Sequence, residues 1–144
     1  TAFIVIITDG NNFYVVDEYQ NASATTTVHA KAIQEMMDKW NIDFIYIDSA
    51  AQQTRFDFAM NFDISTVNAN KSVLDGIGYV SSIIDHNRLF VDKSCKHTLD
   101  SLDNYVWDNR EGLLHEKPKH SDYSHMADAL RYAIYTHSYN VETI

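Results

Sequence analysis

The chain has 144 residues, 45% of them apolar and 22% charged, which describes one globular domain with a core of its own rather than a disordered segment. One Cys excludes an internal disulfide and a Cys-based zinc site, and no apolar run is long enough to cross a bilayer. A net charge of −9 excludes a protein that holds nucleic acid by counterion release alone; a chain this acidic that handles DNA needs metal ions or a partner.

The chain opens directly on Thr1-Ala-Phe-Ile-Val-Ile-Ile-Thr8, a β-branched apolar run that reads as a strand already under way. Such an abrupt start suggests a fragment with a segment missing upstream. Asp9-Gly10-Asn11-Asn12 is a turn, and Phe13-Tyr14-Val15-Val16 returns as a second strand, so residues 2–17 form a hairpin. A small polar loop at 20–26 ends at Thr25, Thr26 or Thr27, any of which caps the next helix. In that helix Ala30, Ile33, Met36, Met37 and Trp40 recur at helical spacing.

Residues 42–47 are the next strand, ending at Asp48. A helix over 51–62 places Phe56, Ala59 and Met60 on one side, and Ile64 to Val67 is a short strand. The helix over 72–85 carries Val73, Ile77, Val80, Ile83 and Ile84. Arg88 to Val91 is strand-like, and a helix over 95–106 presents Leu99, Leu102 and Val106. Residues 108–121 are polar, hold the only Pro and read as an active loop or hairpin. The last helix runs from about Tyr123 to His137, with a frayed or disordered tail beyond it. Strands alternating with helices through the middle imply crossovers and at least partly parallel pairing, hence an α/β mixed sheet flanked by helices on both faces.

Three places carry candidate chemistry. Asp48 follows an apolar strand and precedes small residues and a helix, and functional groups gather beyond the carboxyl ends of strands in open α/β sheets. The competing reading is a turn or N-cap aspartate. His125 and Asp128 share a helix face at i, i+3, and Asp122 could join them at the helix start. Clustered carboxylates suit Mg²⁺ or Mn²⁺, whereas the commoner explanation of such spacing is a solvated Asp–Arg or His–Asp pair. Lys71, between a short strand and a helix, is either a phosphate contact or a solvated lysine. His115, Lys117, Lys119 and His120 form the one locally basic stretch, suited to a phosphate backbone or to plain solvation. The aromatic rings sit at core spacing, and Cys95 reads as packing or a helix start.

The segments Ile45-Tyr46-Ile47-Asp48-Ser49-Ala50, Asn70-Lys71-Ser72-Val73-Leu74-Asp75-Gly76-Ile77 and His125-Met126-Ala127-Asp128-Ala129-Leu130-Arg131-Tyr132, in that order, resemble the C-terminal nuclease domain of tailed-phage terminase large subunits. The last segment is the most specific, and the resemblance covers nearly the whole chain. It implies a ribonuclease H-like fold and a metal-dependent endonuclease that cuts concatemeric double-stranded DNA with two divalent ions, Mg²⁺ or Mn²⁺. By resemblance Asp48, Asp128 and His125 are catalytic. Asp48, Asp128, His125 and, more weakly, Asp122 are metal ligands, and Lys71, Lys117 and Lys119 face the substrate. It also implies an ATPase motor domain upstream in the same polypeptide, a portal and a terminase small subunit as partners, no membrane, and the cytoplasm of an infected bacterium as the setting.

In that family the first catalytic Asp stands on a first, central strand, which should lie upstream of Thr1. The hairpin at 2–17 resembles the family's second and third strands, and Asp9 in its turn is a poor substitute for the missing carboxylate. Two other readings stay open: another ribonuclease H-like nuclease, resolvase or transposase, or a non-catalytic module docking a motor or portal. The docking reading expects Asp48 and Asp128 to be far apart or salt-bridged; convergence on one cleft counts against it. The negative charge fits a bare site that repels DNA until metal loads it.

Overall fold

The computed structural model describes residues 1–104 and 124–142. The elements are β1 (Ala2–Thr8), β2 (Phe13–Gln20), α1 (Thr26–Trp40), β3 (Tyr46–Ile47), α2 (Gln52–Phe62), β4 (Val67–Asn68), α3 (Val73–Asp85), β5 (Leu89–Val91), α4 (Lys96–Asn104) and α5 (Ser124–Glu142).

The hairpin forms as the turn chemistry demands. The Asp9 carboxylate accepts the N–H groups of Asn11 and Asn12 at 2.9 and 2.7 Å, and Gly10 takes φ +92°, a region open to glycine because it has no Cβ. β1 and β2 pair antiparallel, with a register shift between Val5 and Ile6. β5 then pairs in parallel with the start of β2, giving the order β1-β2-β5. β3 and β4 pair in parallel as a separate sheet. Parallel pairs require crossovers, and the intervening helices supply them.

Neighbouring strand residues point to opposite faces, and β1 shows the result. Ile4 and Ile6 pack into a core of Phe13, Val15, Ile77, Val80, Ile83, Leu130 and Ile134, built by β2, α3 and α5. Phe3 packs into a second core of Ala30, Ile33, Phe58 and Ile64, built by α1, α2 and the residue that follows α2 closely. Helices therefore cover both faces. Each fully buried large side chain, such as Phe58 or Leu130, contributes roughly 2–3 kcal/mol by leaving water.

The mixed sheet is split rather than continuous. β1 and β3 are edge strands of their separate sheets, and both line a cleft of about 980 Å³. α1 and α5 also line it, from the two faces. Among the described residues no strand pairs with β1 or β3 across this cleft.

Several boundaries differ from those read in the sequence. β3 is two residues long instead of six, and β4 begins at Val67 while Ile64 is buried as a single core residue. On α2 the buried aromatic is Phe58; Phe56 and Met60 are 60% and 67% exposed, because the helix rests on α1 through the opposite side. On α4 Thr98 and Ser101 face inward and Leu99 is exposed. The register there is set by Glu18, whose carboxylate accepts the N–H groups of His97 and Thr98 at 2.9 and 3.0 Å. α5 does not fray at His137 but continues to Glu142, with Ser138 buried and Tyr139 packed against the Tyr135 ring. The expected loop or hairpin at 108–121 and Val106 lie outside the described residues.

Thr25 is the cap of α1: its side chain accepts the Val28 N–H. Cys95 is buried ahead of α4, as packing. No helix among the described residues is long and apolar enough to cross a membrane.

Candidate metal centre

Asp48 is the first residue past β3. The chain turns there because the Asp48 carboxylate accepts the Ala50 N–H at 2.9 Å and its carbonyl accepts the Ala51 N–H at 2.9 Å. The turn reading of Asp48 is thus correct, yet the same side chain lines the cleft. Lys71 Nζ stands 2.9 Å from Asp48 Oδ1, with both side chains about 40% exposed. Burial raises the Asp48 pKa, but the Ala50 N–H and the Lys71 ammonium outweigh it and hold the carboxyl below its ordinary value.

Asp128 enters the cleft from the second turn of α5, and His125 enters one turn earlier. Their i, i+3 spacing does place both on the cleft side. Asp128 Oδ1 lies 3.2 Å from Arg131 Nη2. This is the Asp–Arg pair that the spacing allowed, with one difference: Arg131 is only 4% exposed, so the pair is not a solvated one. The guanidinium also donates from Nη1 to the carbonyls of Ser72 and Lys71, at 3.2 and 3.5 Å, and lies 4.9 Å from the Tyr132 ring centre. Its Nε is buried without a hydrogen-bond partner among the described residues.

Tyr132 and Arg131 carry weight that pattern reading did not assign them. Burial, then the negative charges of Asp128 and Asp48, push the Tyr132 phenol above its ordinary pKa, so both carboxylates act on one hydroxyl. A buried arginine one turn after a helical Asp is the only local hint of this arrangement; the partner carbonyls come from a loop some 60 residues earlier in the chain.

The structure therefore brings Asp48, His125 and Asp128 to one cleft. Lys71 joins them through Asp48, away from any role as an isolated loop lysine. Asp122, Lys117 and Lys119 lie outside the described residues, as do His115 and His120. The donor types suit a hard divalent cation, since two carboxylates and an imidazole line the same cleft. The number does not suffice: among the described residues no three His, Cys, Asp or Glu side chains stand close enough to share an ion. Both candidate carboxylates are ion-paired, so the bare cleft does not hold two uncompensated negative charges. Ion pairing is what a docking module predicts, and convergence on one cleft is what it does not.

Mixed strand pairing with helices on both faces and an aspartate just beyond a strand end define an α/β domain that carries its candidate site at the strand ends. The same fold occurs in the large terminase of a thermophilic bacteriophage, with a TM-score of 0.74 and 22% identity over 94% of this chain and 36% of that one. It also occurs in the nuclease domain of the large terminase g2p from bacteriophage SPP1, solved with bound Mn, with a TM-score of 0.71 and 18% identity over 93% of this chain and 77% of that one. Residues 1–136 match the family model of the terminase RNaseH-like domain, and the chain belongs to that family. It is 44% identical over 131 residues to the terminase large subunit of Escherichia phage T5, covering 89% of this chain and 30% of the relative's length. The chain thus spans under a third of that relative.

Proposed function

We propose that this chain is the endonuclease domain of a DNA-packaging terminase, cutting concatemeric double-stranded DNA by metal-dependent phosphodiester hydrolysis. The observation that carries the reading is the chain's membership of the terminase RNaseH-like family, supported by Asp48, His125 and Asp128 all lining one cleft. Asp48 and Asp128 would hold Mg²⁺ or Mn²⁺, with His125 and Asp122 beside them. A bound pair of divalent ions supplies an activated water and stabilisation of the leaving 3′ oxygen. The chain's own contribution is positional. Arg131 fixes the rotamer of Asp128, and the Ala50 N–H fixes that of Asp48. Lys71, Lys117 and Lys119 supply positive charge for phosphates.

The missing third carboxylate belongs, on this reading, to a strand seated between β1 and β3. A strand in a packed sheet fills roughly 160 Å³ per residue, from a spacing of about 4.8 Å, a rise of about 3.3 Å and a depth of about 10 Å. The cleft of about 980 Å³ therefore has room for a strand of roughly six residues. It is bordered by two strand edges that want partners. An upstream segment of the same polypeptide would supply that strand, with an ATPase motor domain further upstream. Portal and terminase small subunit are the expected partners, and the host cytoplasm the setting.

The test is plasmid cleavage in Mg²⁺ and in Mn²⁺, by this chain and by a form extended upstream by one strand, each with Asp128→Ala as control. Cleavage by the extended form, lost in the variant and in chelator, is the expected result. Absence of cleavage by both forms in both metals would overturn the nuclease and favour a docking module.

A further inference from the structure

α2 is apolar on two opposite sides. Phe58 and Phe62 pack into the core shared with α1. Phe56 and Met60, one helical turn apart, are the two most exposed large apolar side chains among the described residues, and Ala59 is exposed beside them. A helix position open to water is better filled by Gln, Lys or Glu than by Phe, and helices that are apolar all round are buried ones. The cores of protein interfaces, by contrast, are enriched in Phe and Met. None of these three residues lines the cleft that holds Asp48 and Asp128.

The charges around this face decide what fits it. Arg55 is the only cation of α2, and it is turned away toward β4. Its guanidinium donates to the Thr66 hydroxyl and carbonyl at 2.9 Å each and to Asn68 Oδ1 at 2.6 Å. Asp57, bonded to the Gln53 side chain at 3.1 Å, and Asp63 at the C-cap supply negative charge beside the apolar residues. We propose that the outer face of α2 docks a basic amphipathic helix of another protein. Apolar side chains of that helix rest on Phe56, Ala59 and Met60, and its Lys or Arg side chains face Asp57 and Asp63. The small Ala59 between two large neighbours lets a second helix come close. Nucleic acid is a poor occupant, since a phosphate backbone needs cations and α2 offers none on this side. A second copy of this chain is a poor one too, since it brings the same carboxylates and a further −9 of charge. The inference does not rest on the nuclease reading.

Amide shifts on titration with a helical peptide of about 14 residues, Leu at helical spacing and Lys elsewhere, test it in the intact chain at about 0.15 M salt. The expected shifts centre on residues 52–63. The double variant Phe56→Gln, Met60→Gln is expected to bind at least about tenfold more weakly, although its charge is unchanged. Gln is the better helix former, so this variant melts no lower than the parent. The same peptide with Glu in place of Lys is expected to bind at least about tenfold more weakly to the parent. Undiminished binding by the double variant, shifts centred elsewhere, no binding at all, or equal binding of the Glu peptide each overturns the proposal. A lower melting temperature of the variant also overturns it, by making Phe56 and Met60 part of the core. Self-association of the parent that the variant loses overturns it in favour of a second copy as the occupant.

Discussion

Gly76 on α3 is the surface on which Arg131 of α5 lies. A Cβ at position 76 would stand 2.9 Å from Arg131 Cγ and 3.0 Å from Cδ. The arginine stem cannot swing aside, because its far end is held by Asp128 and by the carbonyls of Ser72 and Lys71. The absence of one methyl group on α3 therefore lets a buried guanidinium run between two helices and reach the cleft.

Gly76→Ala should consequently be destabilising, against the usual helix preference for Ala. Ala gains about 1 kcal/mol in propensity, while forcing an extra carbon into a packed site costs about 1–3 kcal/mol. The expected net loss is about 1 kcal/mol by urea denaturation. In an Arg131→Ala background the clash is gone, so the same substitution should become neutral or stabilising, a double-mutant cycle with strong coupling.

Arg131→Met should cost about 3 kcal/mol, at the low end for removing one partner of a buried ion pair, because the Asp128 side chain keeps 29% exposure. Two backbone carbonyls in the Lys71 loop lose their donor as well. Chemical denaturation gives the stability, and amide exchange at Ser72 should quicken beyond the global change.

Glu18→Ala should loosen α4 without disturbing the rest of the sheet. The carboxylate receives two N–H groups at the start of that helix, where unsatisfied donors and the helix dipole both favour a negative charge. A loss of about 1 kcal/mol is expected. Faster hydrogen exchange at His97 and Thr98 is the specific check; unchanged exchange there would show the clamp to be idle.

His29 should make stability depend on pH. It is 8% exposed, shares a hydrogen bond of 3.1 Å with the Tyr19 hydroxyl, and burial holds its pKa below the ordinary 6.5. The folded chain therefore favours neutral imidazole. Below 6.5 the unfolded chain takes up the proton first, so stability is full above that pH and declines as pH falls toward the lower folded value. His29→Gln should shrink the drop in melting temperature between about pH 7.5 and about pH 5.5. An identical drop in both proteins would rule His29 out as its source.

Much of the fold is legible in the order of residues. The hairpin is local: Asp9, Gly10 and Asn12 dictate the turn, and β-branched apolar runs dictate the strands on either side. α1 and α3 are legible through their apolar stripes, since Ala30 and Ile33, or Ile77, Val80 and Ile83, are one or two helical steps apart. α2 is legible as a helix but not in its orientation. It has apolar residues on more than one side, and only contact with α1 selects Phe58 over Phe56 and Met60. α4 is legible in part: Leu102 packs against the core as its spacing predicts, while Glu18 from β2 caps the helix in a register that turns Thr98 inward and leaves Leu99 exposed.

The sequence by itself determined the alternation of strands and helices, and the identity of Asp48, His125 and Asp128 as the residues to watch. Those are properties of spacing: a carboxylate after an apolar strand, and two polar side chains a helical turn apart. Only the tertiary structure decided what surrounds them. Lys71 and Asp48 are 23 positions apart and meet just past the ends of the paired strands β4 and β3, whereas Arg131 and Ser72 are 59 apart and meet because α3 and α5 close on each other across Gly76. The edges of β1 and β3, unpaired on their cleft side among the described residues, likewise belong to no local pattern, since strand pairing is a contact between distant segments.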